Sequence, residues 1–487
     1  MNKRKLFSPI VALGLGYAFV ASFGCSSAQT NGTGAAGGGN QLKPEVQKAY
    51  TEGLDALKMH DKANDWTAET CDATAKSFLD ANDKNGSFLP TAVYNAGVSY
   101  QRCNDREKAA EQYKTVLEKD PTFHRARVQL ALFAFADSKE TAIEPAIKEM
   151  EQAVQDSKFQ NTEALVNLAR LQMKRANATD FDEAKKNLQR ALAVDDAYMP
   201  AFNQLAIYYL TTAKKQAGAK TGTMVKAGEK AGKVNAQALD LALLVTTQAI
   251  RKNANFAPIY NTAGLIFGEQ GNLNQAVSSF QTARKLDPAF FEAHMNFAAV
   301  NLGFRGFQQA EEAYRAAIKV RPDDYDAHLG LALALRGEID NVNFDAKLKE
   351  AEGEIEAAKK IDPQRPEAYF NQAILTEQFK AKSGDSNSNA SLQTAITLYE
   401  GFIERAKGKP EFASAVDDVS AVATKPDQQC LGKKAKEDHD CKKGRIQNVK
   451  ETIAFNNETE AMRKKAEEEE KQRKAMEEAG TPAEQPK

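Results

Sequence analysis

Five cysteines, five histidines and a few Gly-Lys clusters are the residues of this 487-residue chain whose types could carry chemistry. Cys430, His439 and Cys441, with Asp438 or Asp440 beside them, offer the donors of a zinc site, or the two cysteines close a disulfide instead. His294 and His328 stand 34 residues apart, so they share a place in any repeat of that length and read as packing positions. Gly218-Ala219-Lys220-Thr221-Gly222 and Gly228 to Lys233 imitate a phosphate loop, but neither has GxxxxGK[ST] spacing and no strand precedes them. No GxSxG elbow or SxxK pair occurs. These residues predict no catalytic group, no cofactor, no bound metal and a role other than enzyme. With 65 basic and 66 acidic residues the chain also lacks the basic excess of a nucleic-acid binder.

Asparagines say more. Asn95, Asn167, Asn296 and Asn371 each lie two residues before a small one, namely Gly97, Ala169, Ala298 and Ala373. Asn203 and Asn261 lie three before Ala206 and Gly264. An amide is donor and acceptor at once, so a row of them could pair with the backbone of an extended peptide largely regardless of its sequence. Hydrogen bonds inside the fold are the other use of such a row, and the sequence leaves both open.

The elements that would position these amides follow from a repeat. Gly264-Ala276-Phe280-Ala283-Pro288 returns 34 residues later as Ala298-Ala310-Tyr314-Ala317-Pro322, and Gly97-Ala109-Tyr113-Val116-Pro121 has the same internal spacing. Small residues let two antiparallel helices close up, the aromatic fills the notch, and the proline stops the second helix. This pattern resembles the tetratricopeptide repeat (TPR). The resemblance implies an all-α solenoid of stacked hairpins, with Tyr113, Phe280, Tyr314 and Tyr399 in the core and helix A of each hairpin lining the ligand face. The asparagine row is similar to the ladder in the TPR superhelix of O-linked N-acetylglucosamine transferases, whose catalytic domain has no counterpart here. The basic-plus-Asn clamp of chaperone-type TPRs is not evident, because the asparagine-bearing helices lack Lys at corresponding positions.

The pattern predicts about nine hairpins over residues 43–410, beginning with a degenerate pair, Pro44 to Met59 and Asp65 to Ala81. Insertions are expected between helices A and B, chiefly Lys214 to Gln237, with shorter ones at Asp340 to Phe344 and Ser383 to Ser391. A capping helix and a cysteine-bearing loop follow over 411–445. A charged helix covers 446–479 with a thin apolar stripe of Ile446, Val449, Ile453 and Met462, and 480–487 is a disordered tail. Charge pairs at i,i+4 support that helix, either solvated or as a partner-dependent coiled coil.

Residues 1–25 have the layout of an export signal: basic Lys3-Arg4-Lys5, apolar Leu6 to Val20, then Ser22-Phe23-Gly24-Cys25. The end resembles a bacterial lipobox, with Ser22 where the family usually has Leu and Phe23 bulkier than its usual small residue. The resemblance implies acylation of Cys25 and membrane attachment through the acyl chains. Cleavage after Ala28 is the competing reading. Ser26 resembles an outer-membrane sorting signal, and residues 26–42, with Gly37-Gly38-Gly39, form a flexible tether. Four cysteines then remain for an oxidising compartment, and of their three connectivities Cys71–Cys103 with Cys430–Cys441 is favoured, because Cys71 and Cys103 fall on helices that pack together.

Taken together, Cys25, the tether, the repeat array and the cysteine-bearing charged tail resemble the TPR lipoprotein of the adventurous gliding-motility machinery. That family implies a non-enzymatic adaptor in an envelope-spanning complex, bound to periplasmic or outer-membrane proteins and anchored on the periplasmic side of the outer membrane. The alternative is a pilotin- or assembly-type lipoprotein escorting secretin or β-barrel subunits.

Overall fold

The computed structural model describes residues 42–63, 65–138, 141–216, 235–381, 388–422 and 442–479. Among them every regular element is helical, in an alternation of A and B helices. The first pairs are α1 (Pro44–Ala63) with α2 (Ala68–Lys84), α3 (Pro90–Arg102) with α4 (Arg106–Lys119), and α5 (His124–Asp137) with α6 (Ile143–Asp156). Next come α7 (Thr162–Arg175) with α8 (Asp180–Val194), α9 (Met199–Gln216) with α10 (Ala236–Lys252), and α11 (Ala257–Glu269) with α12 (Leu273–Leu286). After α13 (Phe291–Gly303) and α14 (Phe307–Val320), α15 (Tyr325–Glu338) pairs with α16 (Phe344–Ile361). α17 (Pro366–Leu375) runs on through a π-helical turn, Thr376–Lys380, and pairs with α18 (Ser388–Ala406). α19 (Ala413–Ser420) and α20 (Arg445–Ala479) complete the described chain. The helices fall into two compact units, one ending at Asn296 and the other starting at Phe297.

Hairpins close where a missing side chain meets a ring. A Cβ on Gly97 would lie 2.6 Å from the Tyr113 ring, and one on Gly264 would lie 2.5 Å from Phe280. Only glycine permits that approach, and both rings are buried as a result. Tyr314 and Tyr399 are buried at the same place in their own hairpins.

The tight turn from A to B uses one device three times. Asp105, Asn272 and Gly306 each return their N–H to the carbonyl five residues back (Tyr100, Phe267 and Asn301) at 3.1, 2.8 and 2.8 Å. The residue before each is left-handed: Asn104 at φ 58, Gly271 at φ 75 and Arg305 at φ 65. Asp105 and Asn272 then cap the B helix through their side chains, accepting from Lys108 N and Gln275 N.

Several B helices, among them α4, α12 and α16, end on a second device. Asp120, Asp287 and Asp362 accept, through Oδ1, the N–H two residues on, at 3.0, 2.9 and 2.9 Å. The proline that follows cannot continue the helix, and its carbonyl is taken by the side chain six residues later. Arg127 Nη2 reaches Pro121 O at 2.8 Å, His294 Nε2 reaches Pro288 O at 2.8 Å, His328 Nε2 reaches Pro322 O at 2.7 Å and Tyr369 OH reaches Pro363 O at 3.2 Å.

Several expected boundaries move. The first hairpin's helices run to Ala63 and Lys84, because Thr67 and Thr70 form a capping box that starts α2 late and Asn85 closes it late. Residues 388–391, expected as loop, form the first turn of α18. Met462 does not continue the apolar stripe of α20: it is 70% exposed, whereas Val449 is buried. Residues 1–41, 217–234, 382–387, 423–441 and 480–487, on which the export signal, the tether, two of the insertions and the second cysteine pair are expected, lie outside the described residues.

Candidate protein-binding site

A register links successive A helices. The residue four places after the small A-helix position meets the residue two places before it in the next repeat. Gln101 Nε2 donates to Gln129 Oε1 at 3.2 Å, Gln204 Nε2 to Met173 Sδ at 3.4 Å, and Arg336 Nη1 to Asn371 Oδ1 at 3.2 Å. Neighbouring positions interlock too. Asn296 Nδ2 donates to Asn261 Oδ1 at 2.9 Å, and Thr262 Oγ1 donates to Asn203 Oδ1 at 2.7 Å.

Repeat-to-repeat bonding therefore engages Asn95, Asn203, Asn261, Asn296 and Asn371 of the six asparagines singled out from sequence, whereas Asn167 bonds within α7. Of the two uses left open by the sequence, Asn95 takes the internal one: it is 0% exposed and donates to Tyr50 OH at 3.0 Å. Asn167, Asn261 and Asn371 are buried as well, and Asn167 and Asn371 also donate to the carbonyl one turn back (Glu163 at 3.1 Å and Glu367 at 2.8 Å). Asn203 and Asn296 are half-buried. An amide two residues before a small one sits where consecutive A helices touch, so its first duty is to hold repeats together.

The histidine pair has a packing function. His294 Nδ1 accepts from Arg284 Nε at 2.8 Å, which leaves its Nε2–H for the Pro288 carbonyl. His328 faces an acceptor on each side, Glu354 Oε2 at 2.6 Å and Pro322 O. Cys71 and Cys103 are joined in a disulfide with Cα atoms 6.4 Å apart, tying α2 to the end of α3. The Cys430 and Cys441 pair and the acylation residue Cys25 lie outside the described residues.

Polar groups continue along the first unit's A helices. Tyr113 OH donates to Gln101 Oε1 at 2.6 Å, Gln101 donates to Gln129, and Gln129 Nε2 donates to Glu163 Oε1 at 2.6 Å. Withdrawal from solvent pushes the Glu163 carboxyl up to about 7, against the opposing pull of Arg125, Gln129 and Arg102. The second unit holds Arg336 and Asn371 on the matching register. Asparagine spacing alone passes over Arg336; its signal is a basic residue 35 positions before Asn371, the same spacing as Asn261 to Asn296.

Among the described residues, no group of three His, Cys, Asp or Glu could hold a metal ion, and no helix is long and apolar enough to cross a membrane.

Family profiles described as tetratricopeptide repeat match residues 91–122, 257–290 and 298–368. A search of curated proteins returns no significant match. Similar solved structures include a thermophilic TPR protein of Thermus thermophilus, 23% identical over 44% of this chain and 99% of that one, TM-score 0.36. Pseudomonas aeruginosa pilF is 16% identical over 52% and 96%, TM-score 0.38. A TPR protein of Parabacteroides merdae is 13% identical over 60% and 97%, TM-score 0.36. With its paired helices and matched repeats, the chain is an all-α TPR solenoid, a class that acts generally as a scaffold for protein interaction.

Proposed function

We propose that the protein is a non-enzymatic scaffold that grips other polypeptides along its A-helix faces, anchored by acylated Cys25 at the periplasmic side of the outer membrane. The observation that carries the gripping role is the tiled A-helix register, which brings two half-buried amides, Asn203 of α9 and Asn296 of α13, onto the A helix α11 from either side. A backbone running past them would find donors and acceptors already oriented. The anchor rests on Gly24-Cys25 behind an apolar run and a basic start. The layout favours an adaptor in an envelope-spanning gliding-motility complex over an escort for secretins or β-barrels.

Photo-crosslinkers at Asn203 and Asn296 in living cells test the gripping role. Capture of one defined envelope protein, lost on denaturation, is the expected result; no adduct above that of a crosslinker at an α20 surface position would sink it. Cys25→Ser should release the protein from the membrane fraction. Gene deletion separates the two roles: loss of surface gliding with normal outer-membrane proteins marks the adaptor, and depleted barrels or secretins mark the escort.

A further inference from the structure

Closing a helix on a left-handed residue takes one such residue, and the turn from α6 to α7 has two. Phe159 N donates to Val154 O at 2.8 Å, five residues back, and Lys158 before it is left-handed at φ 49. That is the closure of the A-to-B turns. There the next residue returns to ordinary backbone, Asp105 at φ −82, Asn272 at φ −87 and Gly306 at φ −76. Phe159 stays left-handed at φ 62, and no other two successive non-glycine residues do so among the described residues. The closure does not require the second residue, and a side chain there is strained. What the strain achieves is exposure: Phe159 stands 42% open to solvent at the turn.

The surroundings of the ring are basic. The Arg190 guanidinium of α8 lies over it at 5.0 Å, and Arg190 donates its one hydrogen bond to the neutral Asn187 Oδ1 at 3.0 Å. Val194, one turn on, is 39% exposed. Arg251 lies in the last turn of the next B helix, α10, at the same edge, where Lys252 reaches Asp196 at 2.8 Å. Lys158, Arg190 and Arg251 are exposed, and none has a carboxylate partner among the described residues. Of the acids at these helix ends, Asp156 is paired with Arg127 and Asp196 with Lys252, so Asp195 alone opposes the three cations.

We propose that this edge of the first unit is a second membrane contact, in which Phe159 and Val194 enter the lipid headgroup layer and Lys158, Arg190 and Arg251 meet the phosphates of anionic lipid. Apolar side chains set among cations suit a bilayer interface. A fluid headgroup layer needs no matching pocket, and this ring stands at a turn. The tether favours lipid as the occupant. Residues 26–41 can span at most about 55 Å, so an acylated chain cannot leave the surface by more than that. The turn lies within three repeats of the tether's end, and neighbouring helices stand only about 8–10 Å apart. Held so close, a contact too weak to anchor the protein alone is enough to orient it. The inference rests on the acylated-anchor reading above for its occupant, and adds the face turned to the bilayer.

The test uses the mature chain carrying Cys25→Ser, which has no acyl chains, with vesicles of phosphatidylcholine alone or with about a third phosphatidylglycerol. The expected result is partition onto the anionic vesicles at least about tenfold stronger than onto phosphatidylcholine, falling as salt rises. Lys158→Ala, Arg190→Ala and Arg251→Ala should each lower it about fivefold, the worth of one cation near an anionic surface. Phe159→Gly separates contact from packing. It relieves the left-handed backbone, so the melting temperature should hold or rise while partition falls about tenfold. Phe159→Trp should shift its emission to the blue on anionic vesicles, against a wild type whose only tryptophan is Trp66. Equal partition onto both vesicles, or unchanged partition in both Phe159→Gly and Arg190→Ala, overturns the inference. So does a crosslinker at Phe159 that captures a protein, a second copy of this chain included, without vesicle binding. Membrane fractionation of Cys25→Ser cells is read separately, so a lost anchor and a lost contact give different results.

Discussion

At the scale of single residues, the chemistry that matters is the withdrawal of polar groups from water, and Glu163 shows it most clearly. Its ordinary carboxyl value is 4.5, and in the fold it rises to about 7 because desolvation outweighs Arg125, the Gln129 hydrogen bond and Arg102. Folding therefore takes up a proton between those values. The contribution to stability is fully present below the unfolded value and is lost as the pH rises through about 7. Glu163→Gln keeps an acceptor for Gln129 Nε2 and removes the charge. Melting curves of wild type and variant should differ little at about pH 5 and separate at about pH 8, with the variant more stable there. Parallel curves across that range would show that the carboxylate is better solvated than its surroundings imply. The residue scale is also where the sequence is least legible. Asn95, Asn296 and Asn371 are visible as a spaced set, but their partners Tyr50, Asn261 and Arg336 lie a repeat away, and nothing local announces which amide faces the neighbour.

Elements are far more legible, because each hairpin states its own closure. The notch at Gly264 and the ring of Phe280 are two halves of one contact, written 16 residues apart in the sequence. Phe280→Ala should cost about 3–5 kcal/mol through the cavity it leaves. Gly264→Ala should cost about 1–3 kcal/mol through overpacking, since its new methyl would stand 2.5 Å from the ring. The double variant Gly264→Ala/Phe280→Leu should lose less than the sum of Gly264→Ala and Phe280→Leu measured alone, and additivity in denaturant titrations would deny the contact. The A-to-B turn yields a stabilising change by the same logic. Arg305 holds φ 65 where Gly271 serves in the preceding hairpin. Arg305→Gly removes the left-handed strain at the expense of some unfolded-state entropy, for a net gain of about 0.5–1 kcal/mol. Hairpins without a shared period are harder to place. The start of α18 escapes a sequence reading because Ser388, Asn389 and Ser391 carry turn-forming side chains, yet they join a helix whose Leu392 and Ile396 pack against α20.

At the scale of the whole chain, a solenoid has no single centre, and its stability is a sum over adjoining layers. The last layer of the second unit is closed by something outside the repeat. Ile446, Val449 and Ile453 of α20 cover Leu392 and Ile396 of α18, and Asn456 and Asn457 bond Asn389. Arg445 adds its bridge to Glu377 at 3.1 Å. Beyond this contact the same helix has no tertiary support among the described residues: 458–475 are exposed throughout, with Phe455 67% exposed just before them. Pairs at i,i+4 run along that stretch, such as Lys464–Glu460 at 2.7 Å and Lys474–Glu470 at 2.9 Å, and pairs so open to solvent support a helix weakly. One covalent helix thus contains a structural half and a half that the solenoid does not need. Truncation after Asn457 should leave global stability within about 0.5 kcal/mol. Truncation before Arg445 strips three apolar side chains and an ion pair from α18, and should cost about 3–5 kcal/mol. Hydrogen exchange would locate that loss in α17 and α18. Equal stability of the two truncations would mean that the repeats end themselves, and that α20 rests on them without closing them.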